Sequence, residues 1–129
     1  MKYAFTAILT TVLLLTGVNR SSAQTTLTVV GATITVTGGG IFHVSGPTEI
    51  KAGRIDGLDL SRLTFDGPVL VDDGGLYLFK DCLALITEDL RITTKGVCWR
   101  YRPGVLTVEG TIYNDGDLNN DGEIVIGRP

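Results

Sequence analysis

Short runs of apolar residues alternating with hydroxyl or charged ones fill the chain from Thr25 onward. Ala32, Ile34 and Val36 alternate with Thr33, Thr35 and Thr37, the period of two that separates the faces of a pleated strand. Threonine and β-branched residues favour that geometry over a helix. Gly38-Gly39-Gly40 ends this run, 41–44 starts another, Ser45-Gly46-Pro47 punctuates it, and 49–52 forms a further strand up to Gly53. Ile55, Leu58, Leu60, Leu63 and Phe65 are unevenly spaced between the turn signals Asp56-Gly57 and Asp66-Gly67, leaving room for one brief helical turn over 58–63. Val69-Leu70-Val71 and 76–79 flank Asp72-Asp73-Gly74-Gly75, the strongest turn signal in the chain. It fits a tight hairpin or a corner equally well. Runs at 83–86 and 90–93 follow. In an extended 97–102, Val97, Trp99 and Tyr101 share one face and Cys98, Arg100 and Arg102 the other.

Between 105 and 127 the pattern becomes a hexad. Leu106, Ile112, Leu118 and Ile124 recur every six residues, with Gly110, Gly116 and Gly122 four behind the first three. A step of six rotates a residue by about 120° round an α-helix, so no helical face results. It does suit short strands broken at glycine corners. The spacing predicts an all-β domain built as a short parallel β-helix (β-solenoid), with Leu106, Ile112, Leu118 and Ile124 as a core ladder. The corner glycines would supply positive φ or close backbone approach. A small antiparallel β-sandwich is the alternative.

Composition and charge locate the chain. Met1-Lys2-Tyr3, an apolar or threonine-rich 4–18, and Ser21-Ser22-Ala23 before Gln24 have the form of a secretory signal peptide over 1–23, its apolar core short for a membrane span. Cleavage would leave a single domain at 24–129, secreted or on the cell surface, without a stable membrane span. Loss of Lys2 and Arg20 takes the formal net charge from −3 to −5, which offers nucleic acid no attractive field. Export favours a Cys82–Cys98 disulfide; two buried thiols are the other possibility.

Few residues promise chemistry. Starting at Asp117 the chain reads D-x-N-x-D-G, as in a calcium loop, but the twelfth position, which must supply a bidentate carboxylate, is Arg128. No metal or other cofactor is therefore expected. Asp72-Asp73 and Glu88-Asp89 could pair as in a glycan-cleaving site, although aspartate is common in turns for backbone reasons. His43 lies in a strand pattern and reads as structural. Trp99, Arg100, Tyr101 and Arg102, with Lys95 nearby, form the one basic and aromatic cluster. The plainer expectation is an edge strand with solvated arginines and Trp99 in the core; otherwise these residues stack on sugars or hold acidic polymers.

The run from Leu106 to Ile124 resembles the G-x-I-x-N-x-G-x-L-x-N repeats of bacterial secreted β-solenoid surface proteins, among them filamentous-haemagglutinin-like adhesins and surface proteins of gliding-type bacteria. The stretch from Gly31 to Gly46 is similar to a first rung of such proteins. The resemblance implies an exported, non-enzymatic surface scaffold of the adhesion type. A small polysaccharide-binding or polysaccharide-cleaving protein is the competing expectation. The partners expected are a polysaccharide or another β-rich chain pairing with an open C-terminal edge.

Overall fold

The computed structural model describes residues 5–8, 13–16 and 26–127, the first two segments as backbone. The signal-peptide cleavage site and Arg128 lie outside the described residues. Within them the chain is all β, with no helix. Parallel strands stack into a three-sided solenoid of five turns.

The first side stacks β3 (Thr26–Val30), β6 (Thr48–Lys51), β9 (Val69–Asp72), β12 (Leu90–Ile92) and β14 (Ile112–Asn114). The second stacks β4 (Thr33–Val36), β7 (Arg54–Gly57), β10 (Gly75–Leu78) and the first parts of β13 (Val97–Val108) and β15 (Asp117–Ile126). The third stacks β5 (Ile41–Val44), β8 (Arg62–Phe65), β11 (Leu83–Ile86) and the remainders of β13 and β15. Parallel pairing between every turn rules out a hairpin at Asp72–Gly75, which is instead a corner between the first and second sides. The segment 58–61 is likewise a corner, 62–63 already belong to β8, and no helical turn forms there.

Register reveals a repeat that covers far more than the hexad stretch. Thr33, Arg54, Gly75, Val97 and Asp117 are successive register partners, spaced 21, 21, 22 and 20 residues apart. Alternation along each strand turns one residue in two inward, so each side contributes two inward columns. On the first side these are Leu27-Thr48-Val69-Leu90-Ile112 and Val29-Ile50-Val71-Ile92-Asn114. Nearly all members in the first four turns are buried and apolar, and their contact holds the coil together through hydrophobic burial.

The hexad anchors are not one ladder. Leu106 lies on the third side, Ile112 on the first, Leu118 on the second and Ile124 again on the third, so each hexad step advances one side round the coil. Only Leu106 and Ile124 stack on each other; Ile112 stacks on Leu90 and Leu118 on Cys98. Leu106 is fully buried, while the other three are half-buried and pack against the core.

Close approach at the corners explains the glycines. Gly53, Gly74, Gly96 and Gly116 form one column where the first side meets the second. A Cβ on any of them would collide with a carbonyl oxygen of the turn below. Gly110 is close-packed in the same way against Glu88 and Asp89. Neither Gly110 nor Gly116 has positive φ, so tight stacking is what selects glycine there. Arg102–Pro103 is a cis peptide at the corner between the two parts of β13.

The cysteines are buried and unpaired, which corrects the expected Cys82–Cys98 link. Cys98 occupies an inward column beside Leu76, at the head of β10. Cys82 lies past the tail of β10, at the corner before β11. From Leu76 to Leu78 the strand already advances about 6.6 Å, near the reach of a disulfide between Cα atoms, about 7 Å.

At the start of the chain β1 (Phe5–Ile8) pairs antiparallel with β4, and β2 (Leu13–Thr16) antiparallel with β3. Both fall inside the apolar segment read as a signal peptide. At the other end, β14 and β15 have strand neighbours on one side only among the described residues.

Candidate functional site

The second side carries three outward columns. Thr33-Arg54-Gly75-Val97-Asp117 and Thr35-Asp56-Tyr77-Trp99-Asn119 follow from register, and Tyr101 pairs with Asp121 in the third. The third and fourth turns place Tyr77, Phe79, Trp99 and Tyr101 together. All four are half-buried on the outside of the sheet. This overturns the expectation of a core Trp99: alternation does put Trp99 and Tyr101 on one face, and that face points outward.

Stacking geometry follows from the fold. Phe79 and Tyr101 sit on adjacent turns, with ring centroids 4.8 Å apart and planes 8° from parallel, a separation equal to the spacing between neighbouring strands. Tyr77 is parallel to Phe79, with centroids 6.2 Å apart. Trp99 stands across them, meeting Tyr77 at 65° and Tyr101 at 70°, with centroids 6.1 and 5.8 Å away. Offset and edge-to-face pairs of this kind add stability beyond area burial. Gly75 makes room for this wall, because a Cβ there would fall on the Tyr77 ring and displace it.

Polar groups frame the wall and account for most of its cations. The Arg54 guanidinium lies 4.0 Å from the Tyr77 ring centroid, and its Nε donates to Asp56 Oδ1 at 2.8 Å. Trp99 Nε1 donates to Asp117 Oδ2 at 3.2 Å. Arg102, mostly exposed, meets Asp121 Oδ1 at 3.3 Å.

Arg100 is not a surface group at all. Its side chain is fully buried in the inward column of Val36, Gly57, Leu78 and Asn120. Nη1 donates to the Gly104 carbonyl and Nη2 to Asn120 Oδ1, both at 2.5 Å, while Nε has no partner among the described residues. Burial lowers its pKa, opposed by Cys98 and then by Asp121 and Glu123. Burial also pushes the Cys98 thiol up to about 12, with Arg100 pulling the other way. The four-residue cluster of the sequence therefore splits. Trp99 and Tyr101 join the wall, Arg102 is tied to its rim, and Arg100 anchors the strand from behind.

The remaining candidates do not converge. Asp72 accepts from Thr93 Oγ1 at 3.0 Å, and Asp89 accepts from Thr111 N at 2.8 Å. They lie at opposite ends of the first side, four residues or about 13 Å apart along the strands. Paired carboxylates that cleave glycosides stand about 5–9.5 Å apart. His43 is exposed and pairs with Asp66 at 2.5 Å. Among the described residues no three histidine, cysteine or acidic side chains come together as a metal ligand set. A shallow groove of about 370 Å³ on the third side is lined by Arg62, Leu83, Leu85, Val105 and Glu109, with no aromatic ring.

Tyr77 and Phe79 escaped the sequence reading because they sit 22 residues before Trp99 and Tyr101. The 21-residue repeat of Gly-Pro at Gly46-Pro47 and Gly67-Pro68, and of corner glycines after it, could have aligned them. In comparisons with known proteins, no family model, no curated protein and no solved structure matches the chain.

Proposed function

We propose that the chain is an exported, non-enzymatic β-solenoid that acts as a surface or extracellular recognition module, holding a carbohydrate chain against Tyr77, Phe79, Trp99 and Tyr101. The observation that carries this reading is the aromatic wall itself. Four large rings gathered on the outward face of a sheet stabilise one another by stacking and still leave part of their surface to solvent, and contiguous apolar surface of this kind marks interaction sites. Aromatic surfaces interleaved with hydroxyl, amide and carboxylate groups suit the mixed apolar and hydroxylated faces of a sugar. The separation of Asp72 from Asp89 favours binding without cleavage. The leader-like form of 1–23 supports a module that works outside the cytoplasm.

A second reading is pairing with another β-rich chain along β14 and β15, supported by their having strand neighbours on one side only among the described residues. Asp117, Asp121 and Glu123 on β15 oppose it, because edge charges discourage strand addition.

The test is retention on immobilised polysaccharides. The native chain should be retarded, and Trp99→Ala and Tyr101→Ala should each weaken binding roughly tenfold, since stacking on one ring is worth about 1–2 kcal/mol. Unchanged retention of both variants, with folding intact by circular dichroism, would reject the aromatic wall as the site.

A further inference from the structure

Charge around the aromatic wall narrows the class of glycan, an inference that rests on the carbohydrate reading above. Anionic polysaccharides need unengaged cations, and the wall offers none within its columns. Arg54 is held by Asp56 and the Tyr77 ring. Arg102 is paired with Asp121, and Arg100 is buried behind the strand. Lys80 and Lys95 sit at the corners flanking this side, outside its outward columns.

Within those columns the uncompensated charge is negative. Asp117 is exposed, touches Trp99 through its Oδ2, and forms no ion pair among the described residues. Asn119 lies directly beyond Trp99 in the same column. A sugar stacked on the Trp99 indole therefore has a carboxylate and an amide at its edge.

We infer that the wall takes a glycan of amino sugars, with a protonated amine at Asp117 and the ring face against Trp99. The amide of Asn119 serves neighbouring hydroxyls. A uronic acid polymer would instead bring its carboxylate against Asp117 with no unengaged cation in the same columns to receive it. Like charges so placed repel.

The chain's single tryptophan reports the event. Quenching of Trp99 fluorescence is titrated with three oligosaccharides of matched length and linkage: glucosamine, glucose and uronic acid oligomers. The titration is run at about pH 5, because the neighbouring oxygens of the sugar hold the glucosamine amine well below the lysine range and it is protonated only in mildly acidic solution. In low salt the glucosamine oligomer should bind about two- to five-fold more tightly than the glucose oligomer, the range an exposed ion pair supplies. The uronic acid oligomer should bind weakest. The preference should vanish in high salt and in Asp117→Asn, while binding of the glucose oligomer persists in high salt. Equal affinity for the glucosamine and glucose oligomers, or tighter binding of the uronic acid oligomer, would overturn the amino-sugar assignment and leave carbohydrate binding standing. Binding of none of the three would overturn the carbohydrate reading itself.

Discussion

At the scale of single residues, Arg100 shows how one buried charge can organise its surroundings. Its guanidinium spans from the Gly104 carbonyl in the same turn to Asn120 in the next, and Trp99 and Tyr101 flank it on the same strand. Arg100→Met should cost about 1–3 kcal/mol, because the methionine fills some of the space but takes the donor from the buried Gly104 carbonyl. Chemical denaturation would measure it, and a near-neutral result would mean that these hydrogen bonds contribute nothing net. The thiols give a second prediction. Cys82 and Cys98 are both buried with raised pKa values, so neither should react with an alkylating reagent in the native chain and both should react once it is unfolded. For Cys98 the unfolded thiol ionises near 9.0 and the folded one near 12. Above pH 9 the unfolded state therefore binds fewer protons than the native state, and stability falls as pH rises. The Tm of the native chain should decline more steeply from pH 9 to 11 than that of Cys98→Ala.

At the scale of elements, the coil is set by corners as much as by strands. Gly74 and Gly96 let successive corners stack, and a Cβ on Gly96 would press into the Val71 carbonyl and the Ile92 side chain. Gly96→Ala should lose more than about 2 kcal/mol, in contrast to the gain of about 0.4–1 kcal/mol that alanine brings where space and φ allow it. A thermal melt distinguishes the two. The last turn differs from the others: inward columns that hold Val36, Leu78, Val71 or Ile92 below end in Asn120 and Asn114. Asn120 receives Arg100, and Asn114 Oδ1 accepts from Gly116 N at 3.0 Å. Polar residues at these positions set this turn apart from the apolar columns below it.

At the scale of the molecule, each turn contacts only its neighbours, so stability should be nearly a sum over turns. Deleting residues 54–74 removes one full repeat and joins Gly53 to Gly75, leaving every column in register and all four wall aromatics in place. The shortened chain should fold with unchanged far-ultraviolet circular dichroism per residue and a lower Tm. Deleting ten residues over 54–63 puts all three sides out of register and should abolish cooperative melting. If both deletions behaved alike, the solenoid would not be the unit of stability.

Alternation of apolar and hydroxyl residues, with glycine at intervals, determined by itself that the chain is all β, because local preference and a six-residue step that keeps no helical face both exclude a helix; the hexads favoured a solenoid over a sandwich, and parallel pairing between turns decided it. What the sequence could not show was which alternating positions share a column, because an inward column accepts almost any apolar residue and so repeats no letters. The hexads of 105–127 stood out only because the last turn is shorter and more uniform, and there the period marks steps round the coil, not a ladder. Register between turns, a tertiary property, placed Tyr77 and Phe79 beside Trp99 and Tyr101, turned Arg100 inward, and kept Cys82 from Cys98. A wall assembled from residues 22 positions apart exists only once the turns are stacked.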